Sequence, residues 1–67
     1  MITKERFNRG SGGVYKLTMS VGDSEEEFNA LVKSTYEDID PWASPSITRH
    51  TDNQGRAVAE IKYYGMD

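Results

Sequence analysis

Residues 9–18, RGSGGVYKLT, set three glycines, a serine and a lysine close together, and these are residue types that can cradle a phosphate. In such loops the backbone N–H groups left open by glycine supply the donors, and the N-terminus of a following helix adds positive potential. A phosphate loop of this kind needs glycine directly before the lysine and a helix directly after it. Here Tyr15 precedes Lys16, and the residues that follow alternate in polarity as a strand does. Gly10, Gly12 and Gly13 therefore read as a turn or joint, with Arg9 and Lys16 making a small basic pole around it.

Other chemistry finds less support. His50 is the only histidine and there is no cysteine, so a nucleophile, a base and an orienting group cannot be assembled. Glu26 and Glu37 fall on the helix side away from the expected core, where nothing apolar would raise a carboxyl pKa towards a catalytic range. The clusters DSEEE and EDID lack the ligand spacing and turn glycine of a calcium-binding loop. The expectation is a chain with no catalytic residue, no cofactor and no metal.

Charge distribution says more than the formal total of −3. Residues 1–16 carry Lys4, Arg6, Arg9 and Lys16 against Glu5, whereas residues 23–40 carry seven acids against Lys33 alone. Asp23, Glu25, Glu26 and Glu27 suit the positive end of a helix dipole, but Glu37, Asp38 and Asp40 gather at its negative end, where they cost stability. Beside them Trp42, the only tryptophan, sits in DPWASP between Pro41 and Pro45. It either closes the open end of a thin core or stands out as a rigid aromatic anchor of the type enriched at interface hot spots. Glu26, Glu37, Asp38, Asp40 and Trp42 are thus the candidate partner-binding residues.

The elements that must position them follow from periodicity. In GDSEEEFNALVKSTYEDIDP, Ser24 is an N-cap with Glu27 three residues on, and Phe28, Leu31, Val32, Thr35, Tyr36 and Ile39 make one apolar stripe. Pro41 disfavours helical geometry at Asp40, so the helix is expected to end near Ile39. Before it, VYKLTMSV alternates, with Tyr15, Leu17, Met19 and Val21 facing one way. After it, SITRHT and RAVAEIKYY flank DNQG, a hairpin with Gly55 in the left-handed position. That hairpin sets Asp52 opposite Arg56, Ile47 opposite Ile61, Arg49 opposite Ala59 and His50 opposite Val58. Its apolar face is then Ile47, Ala57, Ala59, Ile61 and Tyr63. Residues 1–13 read as a short edge strand or as a flexible basic arm, with the strand preferred. The expected fold is α+β: one domain over residues 1–67, with an antiparallel sheet of three or four strands and one amphipathic helix packed on one face, in (β)βαββ order.

At 67 residues the chain can bury one thin core, without disulfide or thiolate-metal support. No apolar run reaches the length of a membrane span and no secretory h-region opens the sequence, so a soluble, cytoplasmic protein is expected. With the acidic stretch GDSEEEF…YEDIDPW on a small cysteine-free α+β domain, the chain resembles in style, across residues 23–42, the small acidic proteins that phages encode to block host machinery, anti-CRISPR proteins among them. The resemblance implies stoichiometric inhibition through an interface, with carboxylates presented where nucleic-acid phosphates would sit, and a place in the host cell cytoplasm.

The leading expectation is a non-enzymatic module that docks its acidic face on a basic protein surface. One alternative is a nucleic-acid binder using Lys4, Arg6, Arg9 and Lys16 with Tyr15, Tyr63 and Tyr64. Another is a structural subunit that meets its own copy through a sheet edge or through Val58 and Tyr64.

Overall fold

The computed structural model describes residues 1–65, with the backbone alone at Arg9. It is α+β: strands β1 (Thr3–Arg9), β2 (Gly12–Thr18), β3 (Ser46–Thr51) and β4 (Ala57–Tyr64) form one antiparallel sheet in the order β1-β2-β4-β3, with a single helix α1 (Glu25–Glu37) on it. The basic N-terminal segment is an edge strand, paired with β2 from Thr3↔Thr18 to Arg9↔Gly12.

Local chemistry explains each element. Gly10 has φ +61° while Ser11 keeps an ordinary φ, so the two-residue loop closing β1 and β2 has glycine where a primed hairpin turn needs positive φ. Ser24 caps α1, its Oγ accepting from the Glu27 backbone N–H at 3.4 Å. In the β3–β4 loop, the Gly55 N–H donates to the Asp52 carbonyl at 3.1 Å and Gly55 has φ +77°. The Asp52 Oδ1 accepts from the Gln54 and Arg56 backbone N–H groups, each at 2.9 Å. This Asx-type turn fixes the register, and Ile47↔Ile61, Arg49↔Ala59 and His50↔Val58 pair as the turn chemistry predicts.

The core lies between α1 and the two central strands. Leu17 from β2 and Ala59, Ile61 and Tyr63 from β4 meet Phe28 and Val32 of the helix, with Ile39 and Ala43 beyond its end. Thr35 is also buried, its hydroxyl satisfied by the Leu31 carbonyl at 2.8 Å.

Four expectations need correction. The helix ends at Glu37 rather than near Ile39, because the chain tightens there: the Ile39 N–H bonds the Tyr36 carbonyl, three residues back, at 3.2 Å. Strand β2 stops at Thr18, and Val21 is 98% exposed, because the chain turns between Ser20 and Asp23 with Gly22 at φ +91°. All six residues of β3 are exposed, and so is Ala57, since the helix packs its apolar stripe on β2 and β4 and meets β3 at the Arg49–Asn29 hydrogen bond; Ile47 is 40% exposed. Conversely Val58, on the sheet face away from the helix, is 1% exposed, because central β4 flanks it with Thr18 on one side and His50 on the other.

Candidate functional site

The carboxylates that oppose the helix dipole come together in one short structure. Asp38 is the C-cap of α1, its N–H donating to the Ser34 carbonyl at 3.1 Å. The chain then forms a single 3-10 turn at Pro41–Ala43, with the Ala43 N–H bonded to the Asp40 carbonyl at 2.9 Å. Proline at the first position of that turn gives up no needed donor, which is why DPW can start one. Ser44, at φ +52°, ends it.

Burial alternates along this segment. Ile39 and Ala43 are buried and pin it to the core, while Asp38, Asp40 and Trp42 are left outside. Asp40 sits at the N-cap of the turn but its carboxylate makes no capping bond, so it remains available to solvent. Trp42 is 65% exposed, and its ring rests against Gly65, where an added β-carbon would lie 2.9 Å from the indole. Of the two readings of Trp42, the structure shows the exposed one, supported on one side by backbone.

Glu37 completes a cluster with Asp38, Asp40 and Trp42 that spans six residues of sequence. Glu26 is exposed but stands apart. Eleven residues before Glu37, it lies within about 20° of the same meridian of the helix but about 16 Å along the axis, with Lys33 on the same stripe between them. Among the described residues Glu26, Glu37, Asp38 and Asp40 make no ion pair. Their negative charge is turned towards solvent, with Lys33, one turn before Glu37, the one cation on α1.

A shallow groove adjoins the cluster, lined by Tyr36, Glu37, Ile39, Pro41, Ser44 and Pro45. Tyr36, at 38% exposure, is part of its apolar wall. Sequence periodicity assigns Tyr36 to the core stripe; the signal it leaves is position, at the border of the stripe next to Glu37.

The basic residues are distributed differently. Lys4 and Arg6 lie on the helix side of the sheet, stacked over the Tyr15 ring at 5.1 and 5.9 Å from its centroid. The Arg6 Nε donates to the Tyr63 phenol oxygen at 3.0 Å, and the Tyr15 and Tyr63 rings are 5.5 Å apart. Lys16 and Tyr64 alternate onto the opposite face. Tyr63 is 2% exposed, so it is not a surface on which a base could stack. The glycine loop likewise has a packing explanation: β-carbons at Gly12 and Gly13 would collide with Tyr63, at 2.1 Å from its backbone oxygen and 2.4 Å from its phenol oxygen respectively.

Among the described residues no three of His, Cys, Asp and Glu gather closely enough to hold a metal ion, and no helix is long and apolar enough to cross a membrane. Two carboxyls have strongly defined surroundings, both in turns. The N-terminal ammonium, at 2.9 Å, and the Ser20 N–H hold Asp23 below the usual carboxylate range. The Arg56 backbone N–H, aided by its side chain and by the Gln54 N–H, does the same for Asp52. Compared with known proteins, the chain matches no family model, no curated protein and no solved structure.

Proposed function

We propose that this chain is a non-enzymatic protein-binding module whose acidic helix end, Glu37, Asp38 and Asp40 with Trp42, docks on a basic surface of a protein that handles nucleic acid. Glu26, farther along the same side of α1, would extend the footprint. The observation that carries this reading is the exposure of Trp42 beside carboxylates that make no ion pair among the described residues, on a turn held by the buried side chains of Ile39 and Ala43. A pre-ordered aromatic anchor loses little conformational entropy on binding, and surrounding charge of one sign steers an oppositely charged partner and rejects like-charged ones. Inhibition by occupying a phosphate-binding surface, as a phage-encoded inhibitor of the anti-CRISPR type does, is the form of activity that fits such a module.

The test is affinity capture from host lysate with and without nuclease, followed by titration of the captured protein at low and high salt. A complex that survives nuclease, weakens as salt rises, and is lost when Glu37, Asp38 and Asp40 are all changed to lysine supports the reading. Affinity unchanged by salt and by that triple reversal would overturn it. Binding to single-stranded or duplex oligonucleotides in place of protein would favour the basic N-terminal strand as the functional element.

A further inference from the structure

We infer that β3 pairs with β3 of a second copy, antiparallel about a two-fold axis through Thr48, joining the two four-stranded sheets into one. This pairing does not depend on the function proposed above.

A strand at the edge of a sheet turns half of its N–H and C=O groups towards solvent, and proteins guard such edges with charge, proline, bulges or a covering element. The two edges here are treated unequally. Strand β1 carries Lys4, Glu5 and Arg6 along its length. Strand β3, SITRHT, carries Arg49 as its one formal charge and no proline, and no bulge breaks its pairing from Ser46↔Lys62 to Thr51↔Ala57. The helix meets it at the Arg49–Asn29 hydrogen bond, and all six residues are exposed. Three of them, Ile47, Thr48 and Thr51, are β-branched and suit a paired strand.

Symmetry then selects the register. A two-fold axis between antiparallel copies of one strand must pass between two identical residues, so the choices near the middle of β3 are Ile47, Thr48 and Arg49. An axis at Arg49 sets the two guanidinium groups directly opposite each other, which is destabilising. An axis at Ile47 brings Pro45 into the ladder opposite Arg49 and shortens it. The axis at Thr48 sets Thr48 against Thr48, Ile47 against Arg49 and Ser46 against His50, with no like charges opposed. Arg49, whose guanidinium donates to the Asn29 amide oxygen at 3.0 Å, would lay its stem over the half-exposed Ile47 of the other copy. Its cationic head would then point towards that copy's Tyr36–Glu37 helix end, so basic and acidic ends alternate across the axis.

The experiment is sedimentation equilibrium from micromolar to millimolar chain, alongside single-cysteine cross-linking, which is possible because the native sequence has no cysteine. Wild type should populate a dimer as concentration rises, and β3 amides should gain hydrogen-exchange protection with it. Thr48→Lys, which opposes two ammonium groups at the axis, should remain monomeric with an unchanged circular dichroism spectrum. Thr48→Cys should oxidise to a disulfide dimer, since directly opposed residues lie within disulfide reach, whereas Glu5→Cys on the other edge should not. A wild-type chain monomeric at millimolar concentration, dimerisation undiminished by Thr48→Lys, or equal cross-linking at positions 5 and 48 would each overturn the inference.

Discussion

Tyr63 lies across Gly13, its partner on the neighbouring strand, so closely that a β-carbon on Gly13 would stand 2.4 Å from the phenol oxygen. The glycine makes the space and the buried ring fills it, a known way for a sheet to compensate for glycine. The ring cannot simply swing aside, because its hydroxyl is bonded to Arg6 and Tyr15 stands 5.5 Å away. Gly13→Ala should therefore destabilise the fold by about 1–3 kcal/mol in urea titration, the usual cost of overpacking. Gly12→Ala should cost more than Gly13→Ala, since the atom it meets is backbone. Tyr63→Phe alone should cost about 1 kcal/mol for the lost hydrogen bond. In a double-mutant cycle it should couple with Gly13→Ala, because the phenol oxygen is the atom most crowded by the new methyl.

Two valines give a sharper contrast. Val58→Ala should cost about 1.5–3 kcal/mol, the range for a fully buried aliphatic side chain, while Val21→Ala should leave the urea midpoint unchanged. A simple reading of alternation ranks them the other way round.

That reversal shows where sequence reasoning reaches its limit here. The helix was legible because Ser24, Glu27 and the stripe from Phe28 to Thr35 all point to the same element, and the β3–β4 register was legible because Asp52 and Gly55 define the turn. Val58 was not, because its burial depends on β4 lying between β2 and β3, and strand order is set by tertiary packing that no local pattern encodes. Val21 continues the polarity alternation of β2 past the point where Gly22 turns the chain away. At the candidate site the charges and the aromatic residue were legible as types. The outward direction of Trp42 was not, since flanking prolines restrict the backbone without saying which side meets the core. The groove wall at Tyr36 was hidden by its apolar spacing.

Reversing charge at the helix end should separate binding from stability. Asp38→Lys replaces an unfavourable charge at the negative end of the α1 dipole with a favourable one, and should stabilise the protein by about 0.3–1 kcal/mol. The same substitution should weaken capture of a basic partner. Thermal melting and binding measured on one sample would show opposite signs; a loss of both would place Asp38 in structural support.

Trp42 should behave as a solvent-facing fluorophore. Its emission should be strongly quenched by acrylamide in the native state and shift little on unfolding. Trp42→Ala should cost less than about 1 kcal/mol, as most exposed substitutions do. Partner binding should fall far more than stability, as at interface hot spots.

The β3–β4 turn makes stability depend on acid. The folded state favours ionised Asp52, so its contribution is complete above the unfolded aspartate pKa of about 3.9 and is lost as pH falls through the lower folded value. Asp52→Asn should melt earlier than wild type at neutral pH, and the gap should close as the solution is taken below the ordinary carboxylate range. A gap that stays constant with pH would assign the effect to the Asx geometry rather than to charge.

The strand order also bears on how the chain comes into being. Strand β4 is the last of the four to be synthesised, yet it occupies the interior of the sheet and contributes Ala59, Ile61 and Tyr63 to the core. Until those residues leave the ribosome, β3 has no neighbour and Leu17, Phe28 and Val32 have little to close upon. Translation should therefore yield no smaller folded stage on the way to this fold, and a nascent chain stalled before Ala57 should be as open to protease as a denatured one.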